Sequence, residues 1–587
     1  MFHMSHAILA VLNNFLVRGC QRRFPQLTRM SHIYVKCIPD SERLEISVVY
    51  DKRTYNMSRL KEEEIGKCFV RLQMNIMKVI EKSKKKKKKK SKEATPMEDS
   101  DSIISISMLK KGKTLLDTTT NIDAWTEDSE LVIGDTKLQM EINSPTVISL
   151  SLPASIMSGF PIFPKSELQF VNIDQCKFVW YREPLPSASA KDAENDPVEI
   201  SRERYYSPTP VEIGHRLSLT LTPLNGERVG KEESVTSKFE VEAGPGLCPF
   251  EKRHLYTQKE AEKESLRVVS YNILADVYAD SDYSRTELFP YCPPYALNYD
   301  YRKQLLLKEI TGYNGDIVCL QECDRRYFES DFKPALDLLG LSGLLKVKGG
   351  QVPEGSALFY RRSKLRLLGQ HDIILKEVVA NDERYSDLWQ KICSLEPLKE
   401  KMEARSTALQ LAVFESLDVK DKILMVANTH LFFHPEASHI RMLQIAICLR
   451  HIESVMSQYI SEGKTVSFIF CGDFNSIAEE EINTFMTTKF IPSDYYLWNS
   501  SGEEEKLNNL ELHHNFNIIS GCGYTKYTNY TAGFHGMLDY IFVDSDNLTV
   551  TEVIPMPEHE DVTTHIAIPS IVAPSDHIAQ ICQIKWK

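Results

Sequence analysis

Short apolar runs alternate with helical segments throughout the C-terminal half of the chain, and this alternation limits its fold more than any other feature. Runs such as Val268–Tyr271, Ile317–Leu320 and Val466–Cys471 are too short for core helices and lack the polar alternation of a half-exposed strand. Helical spacing of apolar residues occurs between such runs, at Tyr301–Thr311 and Ile440–Met456. Strands buried on both faces and joined by helices indicate an α/β domain, a two-sheet sandwich flanked by helices.

The preceding half of the chain is β-rich. Gly, Pro, Asn and Asp separate its short apolar or alternating runs, as in a sandwich of antiparallel strands. The stretch from Tyr206 to Leu221 resembles the end of an immunoglobulin-like repeat, and one helix is expected at Lys61–Glu81. We therefore predict a β-rich, immunoglobulin-like N-terminal domain at residues 32–241.

Two segments stand out by composition. Glu242–Gly246 alternates Gly with Pro and begins a predicted linker at 242–264, which places the α/β domain at 265–587. Lys84–Lys90 is an unbroken run of lysines. Like charges at this density repel, so we predict a solvated, disordered loop near 82–100. It is interpreted as a low-complexity insertion with no specific role, and the alternative is non-specific contact with nucleic-acid phosphates.

The first acidic residue of the chain is Asp40, and four arginines precede it. An apolar start that contains arginine and no acid is typical of a mitochondrial presequence, so we predict a targeting segment at 1–31 and a location in the mitochondrial matrix. In a secretory signal, which is one alternative, basic charge would precede the apolar stretch Ala7–Leu12, whereas here it follows. The other alternative is an N-terminus with no targeting role.

Charge and composition exclude several classes of protein. A net charge of −11 argues against a protein that coats nucleic acid electrostatically. It does not argue against a metal-dependent nuclease, because divalent ions reverse the sign of clustered carboxylates locally. No stretch approaches the ~20 apolar residues of a membrane span. Thirteen scattered cysteines without a CxxC pair favour reduced thiols over disulfides or a zinc site.

Six polar motifs lie beside the apolar runs of the C-terminal half. They are centred on Asn272, Glu322, His430, Asp473 with Asn475, Asp539, and Ser575–His577. Each motif alone has an ordinary explanation, because Asp or Asn after a strand usually begins a turn. Together they suit phosphodiester cleavage, in which a metal ion and an imidazolium stabilise the negative charge that develops on the phosphate. The absence of a His/Cys cluster favours a hard cation, Mg²⁺ with Mn²⁺ as a substitute.

In this order the motifs resemble the endonuclease/exonuclease/phosphatase superfamily, which includes deoxyribonucleases, sphingomyelinases, inositol 5-phosphatases and deadenylases. The resemblance covers about 265–587 and is most specific at Gly472–Asn475 and Ser575–His577. It implies that the metal ligands are Glu322, Asp473, Asn475 and Asp576. It also implies that Asn272 lies beside Glu322, that Asp473 activates the attacking water, that Asp539 keeps His577 protonated, and that His430 contacts the phosphate near the leaving group.

Other residues resemble the deadenylase branch. The segment Tyr291–Arg302 is similar to one that deadenylases carry between the asparagine and glutamate motifs. By the same resemblance Phe534 would stack on an adenine, Pro435 would frame its other face, and Asn475 and Arg302 would bind substrate. Stacking is worth about 1–3 kcal/mol per base and does not discriminate between bases.

Nearly the whole chain resembles the mitochondrial 2′,5′-phosphodiesterases of this branch. That resemblance implies a Mg²⁺-dependent 3′-exoribonuclease that degrades 2′,5′-linked oligoadenylates and the 3′,5′ poly(A) tails of mitochondrial RNA and releases 5′-AMP. Its partners would be adenylate-rich RNA and oligoadenylates, with no obligate protein partner. Two alternatives are a phosphodiesterase of the same fold that acts on lipid or inositol phosphates, and a non-catalytic RNA-binding module. The first would need an apolar loop or a basic inositol pocket, and the second would have lost Glu322, Asp473 or His577.

Overall fold

A computed structural model describes residues 32–88, 104–185 and 196–587. The predicted targeting segment 1–31 and the part of the lysine-rich segment at 89–103 lie outside these residues. Contacts divide the chain into two compact units, one of residues up to 148 with 168–176 and 222–232, the other of 149–167, 177–221 and 233–587. Among the helices of these ranges, none has the length and apolar character needed to span a membrane.

The first unit is built on a seven-stranded sheet. Its strands are β1 (His32–Cys37), β2 (Arg43–Tyr50), β3 (Arg53–Leu60), β4 (Ile106–Lys110), β5 (Lys113–Thr114), β6 (Ser129–Ile133) and β7 (Thr136–Ile142). Their order is β3-β2-β1-β7-β6-β4-β5, with β1 parallel to β7. Alternate residues of β1 and β2, such as Val35 and Ile46, are buried beneath the apolar face of helix α1 (Ile65–Lys88).

Helix α1 confirms the helix that the sequence predicted at Lys61–Glu81, and it continues further. Ile65, Phe69, Leu72 and Ile76, which recur at helical spacing, are all buried in the core of this unit. The helix ends at Lys88, so the first part of the lysine run is helical where the sequence predicted a loop.

Eight further strands lie among the described residues between 146 and 236. They are β8 (Thr146–Ser151), β9 (Lys165–Gln169), β10 (Lys177–Arg182), β11 (Val198–Ser201), β12 (Leu217–Thr222), β13 (Leu224–Asn225), β14 (Arg228–Val229) and β15 (Glu233–Thr236). Four of them form a separate sheet in the order β11-β10-β12-β15. The β-rich character of the N-terminal region is confirmed, and its strands belong to separate sheets, with Trp180 of β10 fully buried. The predicted boundaries at 241 and 265 stay predictions.

The remaining strands belong to the C-terminal α/β region. They are β16 (Ser265–Asn272), β17 (Ile317–Asp324), β18 (Leu341–Val347), β19 (Glu354–Arg361), β20 (Leu365–Gln370), β21 (Ile373–Ile374), β22 (Ala408–Ser416), β23 (Lys422–His430), β24 (Thr465–Asp473), β25 (Phe490–Ile491), β26 (Leu512–His513), β27 (Ile518–Ser520), β28 (Asn529–Tyr530), β29 (His535–Gly536), β30 (Asp539–Asp544), β31 (Leu548–Val553) and β32 (Gln580–Trp586). One sheet has the order β18-β19-β17-β16-β32-β31 and the other β20-β22-β23-β24-β30-β27.

Helices cover the outer faces of these two sheets, as the apolar runs predicted. Helix α2 (Asn121–Ala124) belongs to the first unit. The helices of the C-terminal region are α3 (Pro249–His254), α4 (Asp276–Ala279), α5 (Pro294–Leu297), α6 (Tyr299–Gly312), α7 (Arg325–Tyr327), α8 (Lys333–Leu338), α9 (Leu375–Asn381), α10 (Ser386–Cys393), α11 (Glu396–Ala404), α12 (Ser438–Ser461), α13 (Glu481–Thr488) and α14 (His559–Thr563). In β24, Phe468 and Phe470 face the core beneath α12, whereas Ile469 and Cys471 face the core between the sheets. Burial on both faces explains why these strands are continuously apolar.

Candidate active site

Three of the motif residues lie at equivalent positions on neighbouring strands of the second sheet. His430 ends β23 and pairs with Asp473, which ends the parallel strand β24. Asp473 in turn pairs with Asp539, the first residue of the antiparallel strand β30. Gly472 permits this approach, because a Cβ atom at that position would lie 2.5 Å from the carbonyl oxygen of Thr429. The register therefore brings an imidazole and two carboxylates to one edge of the sheet.

Glu322 lies in an irregularity of β17 rather than at the end of that strand. The pairing with β19 shifts between Leu320 and Cys323, and Glu322 has a left-handed φ of 56°. A non-glycine residue in this region is strained, and such strain commonly marks functional positions. Its carboxylate accepts hydrogen bonds from Asn272 Nδ2 at 3.0 Å and from the Ala275 amide at 2.9 Å.

Asn272 connects the two sheets. Its Nδ2 group donates to Glu322 Oε1 and to Asp473 Oδ2, both at 3.0 Å. Its Oδ1 atom accepts from the Leu274 amide at 3.0 Å, which sets the orientation of the side-chain amide. The structure thus places Asn272 beside Glu322, and both next to Asp473, with all three side chains buried.

His577 and Asp539 form a tightly held pair. The distance from His577 Nδ1 to Asp539 Oδ2 is 2.8 Å, and His577 Nε2 lies 3.6 Å from Asp473 Oδ2. Burial acts to lower the pKa of His577, but the charges of Asp539, Asp576 and Asp473 outweigh it and raise that pKa well above its usual value. The arrangement favours a protonated imidazole whose Nε2–H points toward the centre of the site.

His430 is placed differently. Its Nδ1 atom lies 3.8 Å from Glu322 and its Nε2 atom 3.6 Å from Asp473. Burial and the positive charges of Lys348 and His577 hold the pKa of His430 well below its usual value. The buried Nδ1 atom has no hydrogen-bond partner among the described residues. A neutral imidazole here keeps one nitrogen available to a ligand.

Asn475 and Asp576 border this group. Asn475 has a φ of 50°, and its backbone amide donates to Asp473 Oδ1 at 3.0 Å. Its side chain donates to the carbonyl oxygen of Leu431 at 3.1 Å. Asp576 is half-buried and accepts from Asn529 Nδ2 at 3.1 Å. Asn475 is thus held by Asp473 and by the residue after His430, and Asp576 is held by Asn529.

The site has the character of a cation site. Burial is the main reason that the pKa values of Glu322 and Asp473 are raised, and the negative charges of Glu354 and Asp539, respectively, raise them further. Asp473, Asp539 and His577 offer ligand atoms within 4.8 Å of one another. The Oδ1 atom of Asp539 is buried without a hydrogen-bond partner in the described part of the chain. Buried, closely spaced oxygens of this kind suit a hard divalent cation.

Of the other residues that the sequence assigned to substrate binding, Phe534 and Pro435 are exposed and Arg302 is buried. Phe534 is 47% exposed at the turn between β28 and β29, and its ring lies over Gly536, where a Cβ would approach it to 2.9 Å. Pro435 is exposed in the turn that follows His430. Arg302, however, is only 1% exposed, and its guanidinium donates to backbone carbonyls. Its predicted contact with substrate is therefore wrong, because all three of its nitrogens are used inside the protein.

Sequence reasoning missed two supports of the site. Thr528 is fully buried, and its hydroxyl donates to Asp539 Oδ2 at 2.6 Å. Glu354 begins β19 and is buried with its carboxylate 2.5 Å from Lys348 Nζ. Asp539 was identified as an acid at the start of an apolar run. Glu354 has the same position in the sequence and could have been found in the same way.

Residues 269–577 match the Endonuclease/Exonuclease/phosphatase family, and residues 144–242 match the 2′,5′-phosphodiesterase 12-like N-terminal domain. The first match covers the site described above and defines an enzyme class, hydrolases that act on ester bonds. The 2′,5′-phosphodiesterase 12 of Mus musculus is 42% identical over 586 residues, 95% of each chain. The chain therefore belongs to the 2′,5′-phosphodiesterase 12 branch of the endonuclease/exonuclease/phosphatase family, and it has a nuclease or phosphodiesterase role.

More distant relatives share the C-terminal region. The CCR4-Not complex 3′-5′-exoribonuclease subunit Ccr4 of Schizosaccharomyces pombe is 26% identical over 351 residues, 54% of this chain and 49% of its own. The solved structure of ANGEL2, a 2′,3′-cyclic phosphatase, in complex with adenosine-2′,3′-vanadate is similar with a TM-score of 0.45 at 22% identity. It covers 56% of this chain and 97% of that one.

Proposed function

We propose that the protein is a Mg²⁺-dependent 3′-exoribonuclease of the mitochondrial matrix that degrades 2′,5′-linked oligoadenylates and 3′,5′ poly(A) tails and releases 5′-AMP. The observation that carries this proposal is the group around Asp473, whose carboxylate lies within 3.6 Å of Asn272, His430 and His577. A water molecule and a phosphate that meet at this point would contact a base, a cationic donor and a neutral imidazole together.

In this proposal the side chains around the phosphate have different tasks. Asp473 orients and deprotonates the attacking water, and Asn475 holds the phosphate or the water. His577, kept protonated by Asp539, donates to a non-bridging phosphate oxygen as negative charge develops there. His430 contacts the phosphate near the leaving group. Asn272 holds the Glu322 and Asp473 carboxylates at a constant separation.

The divalent ion would be held by Glu322, with Asp473, Asn475 and Asp576 close by. The unpartnered Asp539 oxygen and the raised pKa values of Glu322 and Asp473 fit a site that binds a divalent cation. When bound, Mg²⁺ would neutralise phosphate charge and act as a Lewis acid. Although burial opposes it, the charges of Asp539, Asp576 and Asp473 raise the pKa of His577 well above its usual value, so both ring nitrogens carry a proton and His577 is better suited to the phosphate than to the metal.

Nucleobase-containing substrates are supported by the aromatic residues beside the site. Phe534 is exposed on one face of the β28–β29 hairpin. On the other face the ring centroids of Tyr530 and His535 stack 5.4 Å apart, next to Tyr527. Exposed rings that flank a phosphate site suit base stacking. One relative is named a 2′,5′-phosphodiesterase and another a 3′-5′-exoribonuclease, which are both names of enzymes that cleave phosphodiesters. The preference for adenylate rests on the resemblance of Tyr291–Arg302 and Phe534 to deadenylases.

The proposal is tested with purified protein and matched 2′,5′ and 3′,5′ oligoadenylates, with Mg²⁺ or with chelator. We expect 5′-AMP in the presence of Mg²⁺ and none with chelator. Glu322→Gln and Asp473→Asn should each lower turnover by about 1,000-fold or more, as losses of central catalytic groups do. Asp544→Asn is the matched control, because Asp544 is a buried carboxylate at the opposite end of the strand that Asp539 begins.

Several results would refute this function. Full turnover by Asp473→Asn would remove Asp473 from the chemistry. Faster hydrolysis of sphingomyelin or an inositol phosphate than of oligoadenylate would favour the lipid or inositol alternative. Undetectable cleavage across a Mg²⁺ titration, with RNA binding retained, would favour the non-catalytic module.

A further inference from the structure

The segment that leads into Ser575–His577 is buried but has little regular structure. Residues 566–577 form turns, bends and single bridges, although 567–570 and 572–575 are buried. Backbone carbonyls that are shielded from water need hydrogen-bond partners, and here no strand ladder or helix supplies them. Single backbone amides bond the carbonyls of Ser570, Ala573 and Asp576, whereas those of Ile568, Ile571 and Pro574 accept from side chains.

Three side chains from the segment 291–302 supply partners at a spacing of three residues. The Tyr291 hydroxyl donates to the carbonyl oxygen of Ile568 at 2.7 Å, and the Tyr301 hydroxyl donates to that of Ile571 at 2.7 Å. Arg302 Nη1 donates to the carbonyl oxygen of Pro574 at 2.8 Å. The last of these carbonyls lies directly before Ser575.

Arg302 also binds the segment that follows Asn272. Its Nη1 and Nη2 atoms donate to the carbonyl oxygens of Ile273 at 3.1 Å and Leu274 at 2.8 Å. A second link runs between the same two segments, since the Ser575 hydroxyl donates to the carbonyl oxygen of Asn272 at 2.7 Å. One buried guanidinium therefore joins the backbone next to Asn272 to the backbone next to His577.

We propose that Tyr291, Tyr301 and Arg302 form a brace that positions His577 for phosphate-ester hydrolysis. The imidazole of His577 lies between Asp539 and Asp473, and its backbone amide is fixed by the Ser575 hydroxyl at 3.1 Å. A shift of the 568–574 backbone moves that amide and the ring with it. A misplacement of about 1 Å at a reacting group is enough to lower turnover by about 100-fold.

Tyr291, Tyr301 and Arg302 are positioning residues and not substrate ligands. Arg302 is 1% exposed and has no nitrogen left for a phosphate. Tyr291 and Tyr301 use their hydroxyls on main-chain oxygens, and Tyr301 is covered by the edge of the Tyr295 ring at 5.4 Å. Tyr295, which is exposed, is the aromatic residue of the segment that stays available to a ligand.

The test uses the full chain with Tyr291→Phe, Tyr301→Phe and the double variant, each of which removes a hydroxyl and keeps the ring. Thr257→Val is the matched control, because the hydroxyl of the buried Thr257 also donates to a backbone carbonyl, that of Gly312, at 2.7 Å. Oligoadenylate turnover and amide exchange of the peptide 566–577 are measured at a temperature where all variants are folded. The choice of substrate rests on the proposed function, whereas amide exchange does not.

We expect the brace variants to lower kcat by about tenfold each with KM changed less than twofold, because the substrate contacts are intact. Amide exchange in 566–577 should increase in the same variants and stay at the wild-type rate in Thr257→Val, even if both kinds of variant lose equal thermal stability. Unchanged exchange, or an equal fall of kcat in Thr257→Val, would overturn the brace. Wild-type protein that lacks oligoadenylate turnover would refute the proposed substrate, and the exchange result would still decide about the brace.

Discussion

Replacement of Thr528 by valine removes a single hydroxyl from beneath the Asp539–His577 pair and leaves the side-chain volume nearly unchanged. That hydroxyl donates to Asp539 Oδ2 at 2.6 Å and accepts from the backbone amides of Leu538 at 2.9 Å and Asp539 at 3.0 Å. The variant therefore leaves two backbone N–H groups without their partner. It also frees one oxygen of Asp539 to rotate away from His577.

The cost can be estimated from these three contacts. An unsatisfied buried donor costs about 1–3 kcal/mol, so two of them would cost about 2–6 kcal/mol. Because Leu538 is only partly buried, we expect the free energy of unfolding to fall by about 3–4 kcal/mol, no higher than the middle of that range. For turnover, a carboxylate that no longer holds its histidine in one orientation predicts a fall in kcat of about 10- to 100-fold. The KM for oligoadenylate should stay nearly unchanged, because Thr528 does not reach the surface.

Thr528→Ser is the matched variant, since it keeps the hydroxyl and loses only a methyl group. We expect Thr528→Ser to retain turnover within about threefold of the wild type and most of the stability, as measured by thermal unfolding and steady-state kinetics. Equal kcat values for the valine and serine variants would refute the reasoning. They would mean that Asp539 keeps its orientation through His577 alone.

Three further predictions concern substrate, packing and pH. His535→Ala should raise the KM for oligoadenylate by about tenfold with kcat retained, since one stacking surface is worth about 1–3 kcal/mol, and an unchanged KM would contradict it. Gly312→Ala should lower the unfolding temperature although alanine favours helices, because its Cβ would lie 2.2 Å from the His254 ring, and an equal or higher temperature would contradict it. Burial lowers the pKa of His254 to about 4, so the free energy of unfolding should fall as the pH drops from about 6.5, by about 2 kcal/mol at pH 5. Chemical denaturation at pH 7 and pH 5 checks this, and His254→Gln should lose less on acidification than the wild type.

Local pattern was sufficient to predict much of the catalytic region. The apolar runs at Val268–Tyr271 and Val466–Cys471 lie within β16 and β24, and the helical spacing at Ile440–Met456 lies within α12. Such elements follow from the sequence because burial on two faces requires a continuous apolar run whatever the partner strand is. The polar residues that end these runs were visible for the same reason, since they interrupt an apolar pattern.

Tertiary structure decided features that depend on contacts between distant parts of the chain. Arg302 belongs to a tyrosine-rich segment that resembles a substrate loop, yet its side chain is buried and donates to the carbonyl of Pro574, 272 positions away. The strained conformation of Glu322 depends on a register shift against β19. The N-terminal strands likewise share one texture, but their pairing divides them into separate sheets.

The sequence by itself predicted which side chains would carry the chemistry, and it placed them beside buried strands. Only the tertiary structure decided how those side chains are held, through Thr528 beneath Asp539, Asn272 between the two carboxylates, and Arg302 behind His577. The physical reason is that periodicity records whether a residue is buried, whereas the partner of a buried polar group is set by which backbone atoms folding leaves unsatisfied beside it.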